Sequence, residues 1–151
     1  MCFNCEALML FDKRHNRIFN VLEQVTEVME PTFKARIAAA MVYKNEIIAM
    51  GINSTKTHPM QRKFAIPKYS SPNTERIYLH AEIDCIVRSI RKVDDDTLRR
   101  STMYVYRSKI DMDSKKTVGA MSKPCPGCES CIRSFGISRV CYSTEDGYDW
   151  L

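Results

Sequence analysis

The chain has 151 residues, 44% of them hydrophobic and 27% charged, with only 5 Gly and 6 Pro. That length suits one ordinary domain, expected to span residues 1–151, and the composition excludes disordered and fibrous chains. The formal net charge of +5 is distributed along the chain; it favours an anionic substrate slightly, and a solvated basic surface explains it equally well.

Ala7 to Phe11 is apolar, but Asp12, Lys13, Arg14 and His15 follow at once. The run is too short for a signal-peptide core or a membrane helix, so a cytoplasmic protein without a membrane partner is expected. In such a compartment the 7 cysteines read as metal ligands or buried thiols rather than as a disulfide framework.

From Arg17 to Met29, Ile18, Val21, Leu22, Val25, Val28 and Met29 recur at spacings of three and four, which predicts an amphipathic helix ended by Pro31. Ala35 to Tyr43 and Ile47 to Ile52 are apolar runs around a Lys44-Asn45-Glu46 turn and predict a β-hairpin. Unbroken apolar runs imply strands covered on both faces. Residues 53–77 hold three prolines and no sustained period, so they read as a long loop. A helix follows from Leu79 to Lys92, closed by Asp94-Asp95-Asp96, which reads as a solvated turn. Thr102 to Tyr106 reads as a strand and Ser108 to Lys123 as a polar, charged insertion. Glu129 to Phe135 predicts a short helix stopped near Gly136, and Arg139 to Ser143 a strand before an acidic, aromatic tail. This order implies a mixed sheet with helices on both faces.

Two motifs carry chemistry. His80-Ala81-Glu82 opens one predicted helix and Pro124-Cys125-Pro126-Gly127-Cys128 opens another. Zinc takes imidazole and thiolate ligands, and a catalytic zinc keeps three protein ligands so that water takes the fourth position; His80, Cys125 and Cys128 supply three. Pro126 suits a first helical position, and the helix start favours thiolate over thiol. Glu82 stands where it reaches that water without ligating the ion, as a proton carrier for hydrolysis at an amidine carbon. Alone, His-x-Glu is usually a surface helix start and C-x-x-C is often a structural half-site; the pair in this order points to catalysis.

This signature resembles that of the cytidine and deoxycytidylate deaminase superfamily, over about Phe33 to Ser143. The resemblance implies a three-layer α-β-α fold, a mixed five-stranded sheet with helices on both faces. Histidine as first ligand is similar to the deoxycytidylate, tRNA-adenosine and guanine deaminase branches. Gly51-Ile52-Asn53 matches a family element in which the asparagine binds the substrate's sugar or base, although an Asn there also caps loops. The implied reaction is hydrolysis of dCMP to dUMP with release of ammonia, by a homo-oligomer. Lys56, Arg62, Lys63 and Lys68 are offered by the long loop for a 5′-phosphate; Asn53, Lys56 and Ala81 are the candidate substrate-binding residues. In place of the family's glycine-rich stretch after the asparagine stands Ser54-Thr55-Lys56-Thr57-His58-Pro59.

Other candidates read more blandly. Cys2 and Cys5 form a second C-x-x-C, but no spacing links them to His15 or His58 as partners for another zinc; Cys131 is a buried thiol rather than a fourth ligand, and Cys85 and Cys141 belong to the core. Two rivals remain: a deaminase of a base in RNA or single-stranded DNA, using Tyr69, Tyr78 and Arg99-Arg100, and an inactive zinc-stabilised binding module.

Overall fold

A computed structural model describes residues 3–29, 35–65 and 78–151, with the side chains of the first helix described from Lys13 onward. Helix α1 (Phe3–Glu27) begins well before the predicted Arg17, since Glu6-Ala7-Leu8-Met9-Leu10 are strong helix formers that extend the pattern backwards. Strands β1 (Arg36–Tyr43) and β2 (Glu46–Ile52) form the expected hairpin. Lys44 and Asn45 both take positive φ, 48° and 66°, as the two-residue turn that matches strand twist requires.

The loop after β2 contains a short helix, α2 (Pro59–Phe64), which sequence periodicity did not show. Helix α3 (Ala81–Ser89) follows. The aspartate run is more than a turn: Asp94 caps α4 (Asp95–Arg99) by accepting the Thr97 amide at 2.8 Å. Strand β3 (Thr102–Ile110) continues into the segment read as an insertion, which turns back through β4 (Thr117–Ala120). Helix α5 (Pro126–Ser134), β5 (Arg139–Thr144) and β6 (Gly147–Trp150) complete the chain, the tail thus adding an edge strand.

The mixed sheet has six strands, five in the order β2-β1-β3-β5-β6, with β4 paired to the far end of β3. β3 pairs with β5 in parallel from Thr102 to Val105 and with β4 antiparallel from Arg107 to Ile110, so the sheet forks beside Tyr106. Two serines lie at the fork. Ser122 Oγ donates to the Val105 carbonyl at 2.7 Å, Ser143 Oγ donates to that of Ala120 at 2.7 Å, and the Arg107 amide donates to Ser143 Oγ at 3.1 Å. The three strands keep their backbone polar groups partnered where the ladder itself divides.

Alternation along the strands splits the core into two layers. Ala39, Met41, Met103 and Val105 pack beneath Ile83, Ile86 and Ile132 of α3 and α5, whereas Ala38, Ala40, Tyr104 and Tyr106 pack beneath Ile18 and Leu22 of α1. The small alanines of β1 let helices close on both faces, which is the expected three-layer arrangement. Among the described residues no helix is long and apolar enough to cross a membrane.

Candidate metal centre and active site

Helices α3 and α5 point their N-termini at one another, and the residue before each is a candidate metal ligand. His80 is the N-cap of α3 but makes no side-chain capping bond, leaving its imidazole available to the neighbouring helix. Cys125 is the N-cap of α5, accepting the Cys128 amide on Sγ at 3.5 Å, with Pro126 next in line where its missing N–H costs nothing. His80 Nδ1 lies 3.2 Å from Cys128 Sγ and 3.6 Å from Cys125 Sγ. All three ligand atoms fall within 4.8 Å of one another. Tetrahedral zinc with bonds of 2.0–2.3 Å would separate such ligands by about 3.5–3.8 Å, so one imidazole nitrogen and two sulfurs fit the ion after small adjustments.

The sulfurs titrate as a unit. Cys125 is drawn down to about 4, chiefly by the hydrogen bond from Cys128, with His80 adding to it. Cys128 is shifted up because it holds the shared proton and is buried. His80 is shifted up by its bond to Cys125. An anionic sulfur at neutral pH is what a cation requires.

Glu82 sits in the first turn of α3. It is buried, and loss of solvent raises its pKa above the ordinary carboxylate value. That suits a group that must both take up and give back a proton near neutrality. Glu82, His80 and Cys125 line a cavity of about 320 Å³ with Asn53, Arg107 and Lys123, within the range of about 300–1,000 Å³ for small-ligand sites.

The residues proposed for substrate contact separate here. Asn53 faces the cavity with its amide fixed: Oδ1 accepts the Ile37 amide and Nδ2 donates to the Ala35 carbonyl, both at 2.9 Å. One further donor hydrogen and one lone pair stay in principle available. Ala81 is the first residue of α3 and buried. Lys56 instead lines a neighbouring cavity with Val25, Asp84 and Arg88. Lys63 lies in a third with Phe135, and Arg62 is exposed on α2. Lys68 and Tyr69 fall outside the described residues, as do Cys2 and the side chain of Cys5. His58 caps α2 by accepting the Met60 amide on Nδ1 at 3.1 Å. Cys131 is buried, held up to about 11 by lost solvation, and stands outside the ligand trio; Cys85 and Cys141 are core thiols pushed up to about 12.

Three supporting residues escaped the sequence reading. Gln61 of α2, buried in what seemed a loop, accepts the His80 amide on Oε1 at 2.9 Å and fixes the ligand's backbone. Asp84 accepts the Ile52 amide at 3.0 Å and ties the end of β2 to α3. Gly51 brings that strand against the helix backbone; a glycine inside an apolar strand was the available signal.

Residues 12–144 match the model of the cytidine and deoxycytidylate deaminase zinc-binding region. The chain belongs to the cytidine and deoxycytidylate deaminase family. The activity is therefore zinc-dependent hydrolytic deamination, and among the described residues the His-Cys-Cys trio is the group that suits the metal. The fold is similar to that of the dCMP deaminase of cyanophage S-TIM5 in its apo form, with a TM-score of 0.56 and 18% identity over 87% of this chain and 83% of that one. The cytidine deaminase of Mycobacterium leprae aligns at a TM-score of 0.46 and 14% identity, over 87% of this chain and 91% of that one. No curated protein sequence matches the chain.

Cys125→Ala removes a ligand and the cap of α5 together. Zinc content, read by metal analysis, should fall to background. Losing the cap costs about 0.5–2 kcal/mol before the metal's own contribution is counted, so with the metal lost as well the melting temperature should drop by several degrees or more. Retained zinc in the variant would remove Cys125 from the ligand set.

Proposed function

We propose that this deaminase acts on a cytosine mononucleotide, converting dCMP to dUMP with release of ammonia. The observation that carries the reading is the buried carboxyl of Glu82 beside a three-ligand trio, both facing one small-ligand cavity. A structural zinc site would close with four protein ligands; three leave a position for the reaction.

Zinc, for which His80, Cys125 and Cys128 would be the ligands, would supply a water activated for attack near neutral pH. Glu82 moves the protons. The water oxygen bonds to cytosine C4 and the C4–amino bond breaks. One water proton ends on ring N3 and the other on the departing nitrogen, which leaves as ammonia, and the carboxyl of Glu82 carries them in turn. In this reading Asn53 meets the sugar and the Ala81 amide, among the helix N–H groups without an intrahelical partner, meets the base. Lys56, beside a different cavity, is not assigned to the phosphate. We extend the reading, on the family resemblance, to a cytoplasmic homo-oligomer, which sedimentation of the purified protein would check.

The decisive experiment is ammonia release by zinc-loaded protein offered dCMP, CMP, deoxycytidine, cytosine, guanine and a short single-stranded oligonucleotide. Turnover of dCMP above the others is expected. Activity on the oligonucleotide alone would replace the substrate, and none on any would favour a binding module.

A further inference from the structure

We propose that Arg107 is the anchor for the substrate's 5′-phosphate, with Lys123 supporting it at the rim, and that the β3–β4 hairpin exists to place them. This rests on the mononucleotide reading above and assigns the residues that distinguish a nucleotide from a nucleoside at the same site.

The first ground is the face of β3. Met103 and Val105 point into the core beneath α3 and α5, and strand alternation sends Arg107 to that same side. Its register partner Ile37 packs on that core as well. An arginine here continues an apolar row into the cavity of Glu82. Its Nε is buried and has no hydrogen-bond partner among the described residues. A buried unpartnered donor is costly unless something arrives to accept from it.

The second ground is position. Asn53 donates its backbone amide to the Ile37 carbonyl at 3.2 Å, and Ile37 pairs with Arg107, which pairs with Ala120. Asn53, Ile37 and Arg107 thus form one row across the sheet at the cavity. If Asn53 meets the sugar, the next polar group along the row is a guanidinium, whose fork suits phosphate oxygens. From β4 the chain returns through Met121 and Lys123, both lining the cavity, directly into Pro124-Cys125.

The third ground is rigidity. The Arg107 amide, Ser143 and Ser122 share the hydrogen bonds at the sheet fork, holding the backbone on each side of the anchor. The polar insertion noticed in the sequence thereby acquires a use. The other arginines considered for anion binding lie elsewhere. Arg99 and Arg100 pair with Asp96 at 3.8 and 2.8 Å, just before the start of β3, and from Thr102 to Arg107 the strand runs about 16 Å.

The test compares binding of dUMP and deoxyuridine to the zinc-loaded protein by calorimetry, in wild type, Arg107→Gln and Arg107→Lys, with dCMP turnover measured in parallel. Wild type should prefer dUMP by roughly 10–150-fold, the range for hydrogen bonds to charged groups. Arg107→Gln should abolish that preference while keeping zinc and deoxyuridine affinity, and Arg107→Lys should restore part of it. In turnover the loss should appear in KM for dCMP, with kcat within a few-fold. A phosphate preference that survives in Arg107→Gln overturns the assignment, as does a wild type without one, or one that gains affinity only from an oligonucleotide phosphodiester. Failure of wild type to deaminate dCMP despite an Arg107-dependent preference for dUMP would instead refute the proposed reaction and leave the anchor standing.

Discussion

Glu82→Ala should leave zinc bound and remove turnover. The carboxyl is not among the three ligand groups, so metal content should equal that of wild type. General acid–base catalysis contributes about 10²–10⁴-fold; because one group is asked to carry two protons in sequence, the loss in kcat should reach the upper end. Folding should not suffer. Burial already disfavours the ionised form of Glu82, so an alanine relieves a desolvation cost in exchange for a small cavity, and thermal stability should hold or rise. Metal analysis, a melting curve and an ammonia assay on one preparation check all three statements. Zinc lost along with activity would make Glu82 a ligand or a support for one, and the proton-carrying role would fall.

That His80, Cys125 and Cys128 come together with Glu82 beside them was legible because their spacing along the chain is the spacing of helix starts. His80 and Cys125 each precede the first turn of a helix, and C-x-x-C returns the second sulfur to the first within that turn. The β1–β2 hairpin was legible for a similar reason, an apolar run on each side of a two-residue turn. What escaped was set by long-range pairing. Nothing local marks Gln61 as the acceptor for the His80 amide, since a six-residue helix among prolines has no period to read. The insertion read as polar because its hairpin stands at the sheet's end, where of residues 108–123 only Ser108, Ala120 and Ser122 are buried. Likewise the aromatic tail declares itself only in three dimensions, where Tyr148 stacks on Phe19 at 5.7 Å and Trp150 meets His15 edge-on at 5.2 Å. The loop lysines were chosen by charge and chain order, whereas the proposal of Arg107 needed the strand register.

Gly51→Ala should disable the protein as thoroughly as loss of a ligand, by a different route. A Cβ at this position would lie 2.3 Å from the Cys85 amide nitrogen and 2.5 Å from the Ala81 carbonyl oxygen. Both are backbone atoms of α3, so no side chain can rotate away; the helix itself must lift from β2. That helix carries His80 at its cap and Glu82 in its first turn, and Asp84 holds the same strand through the Ile52 amide. Overpacking that side chains can absorb costs about 1–3 kcal/mol. Here the cost should exceed about 3 kcal/mol, a fall in melting temperature of at least about 6–12 °C for a chain of this size. Zinc affinity should weaken with it, because displacing α3 moves one ligand relative to the two sulfurs on α5. Gly119→Ala provides the control: its new Cβ would meet only the Tyr106 ring, at 3.4 Å, and should alter stability by less than about 1 kcal/mol. If Gly51→Ala melted with wild type and kept its zinc, the close seating of α3 on β2 would not be what holds His80 and Glu82 in place.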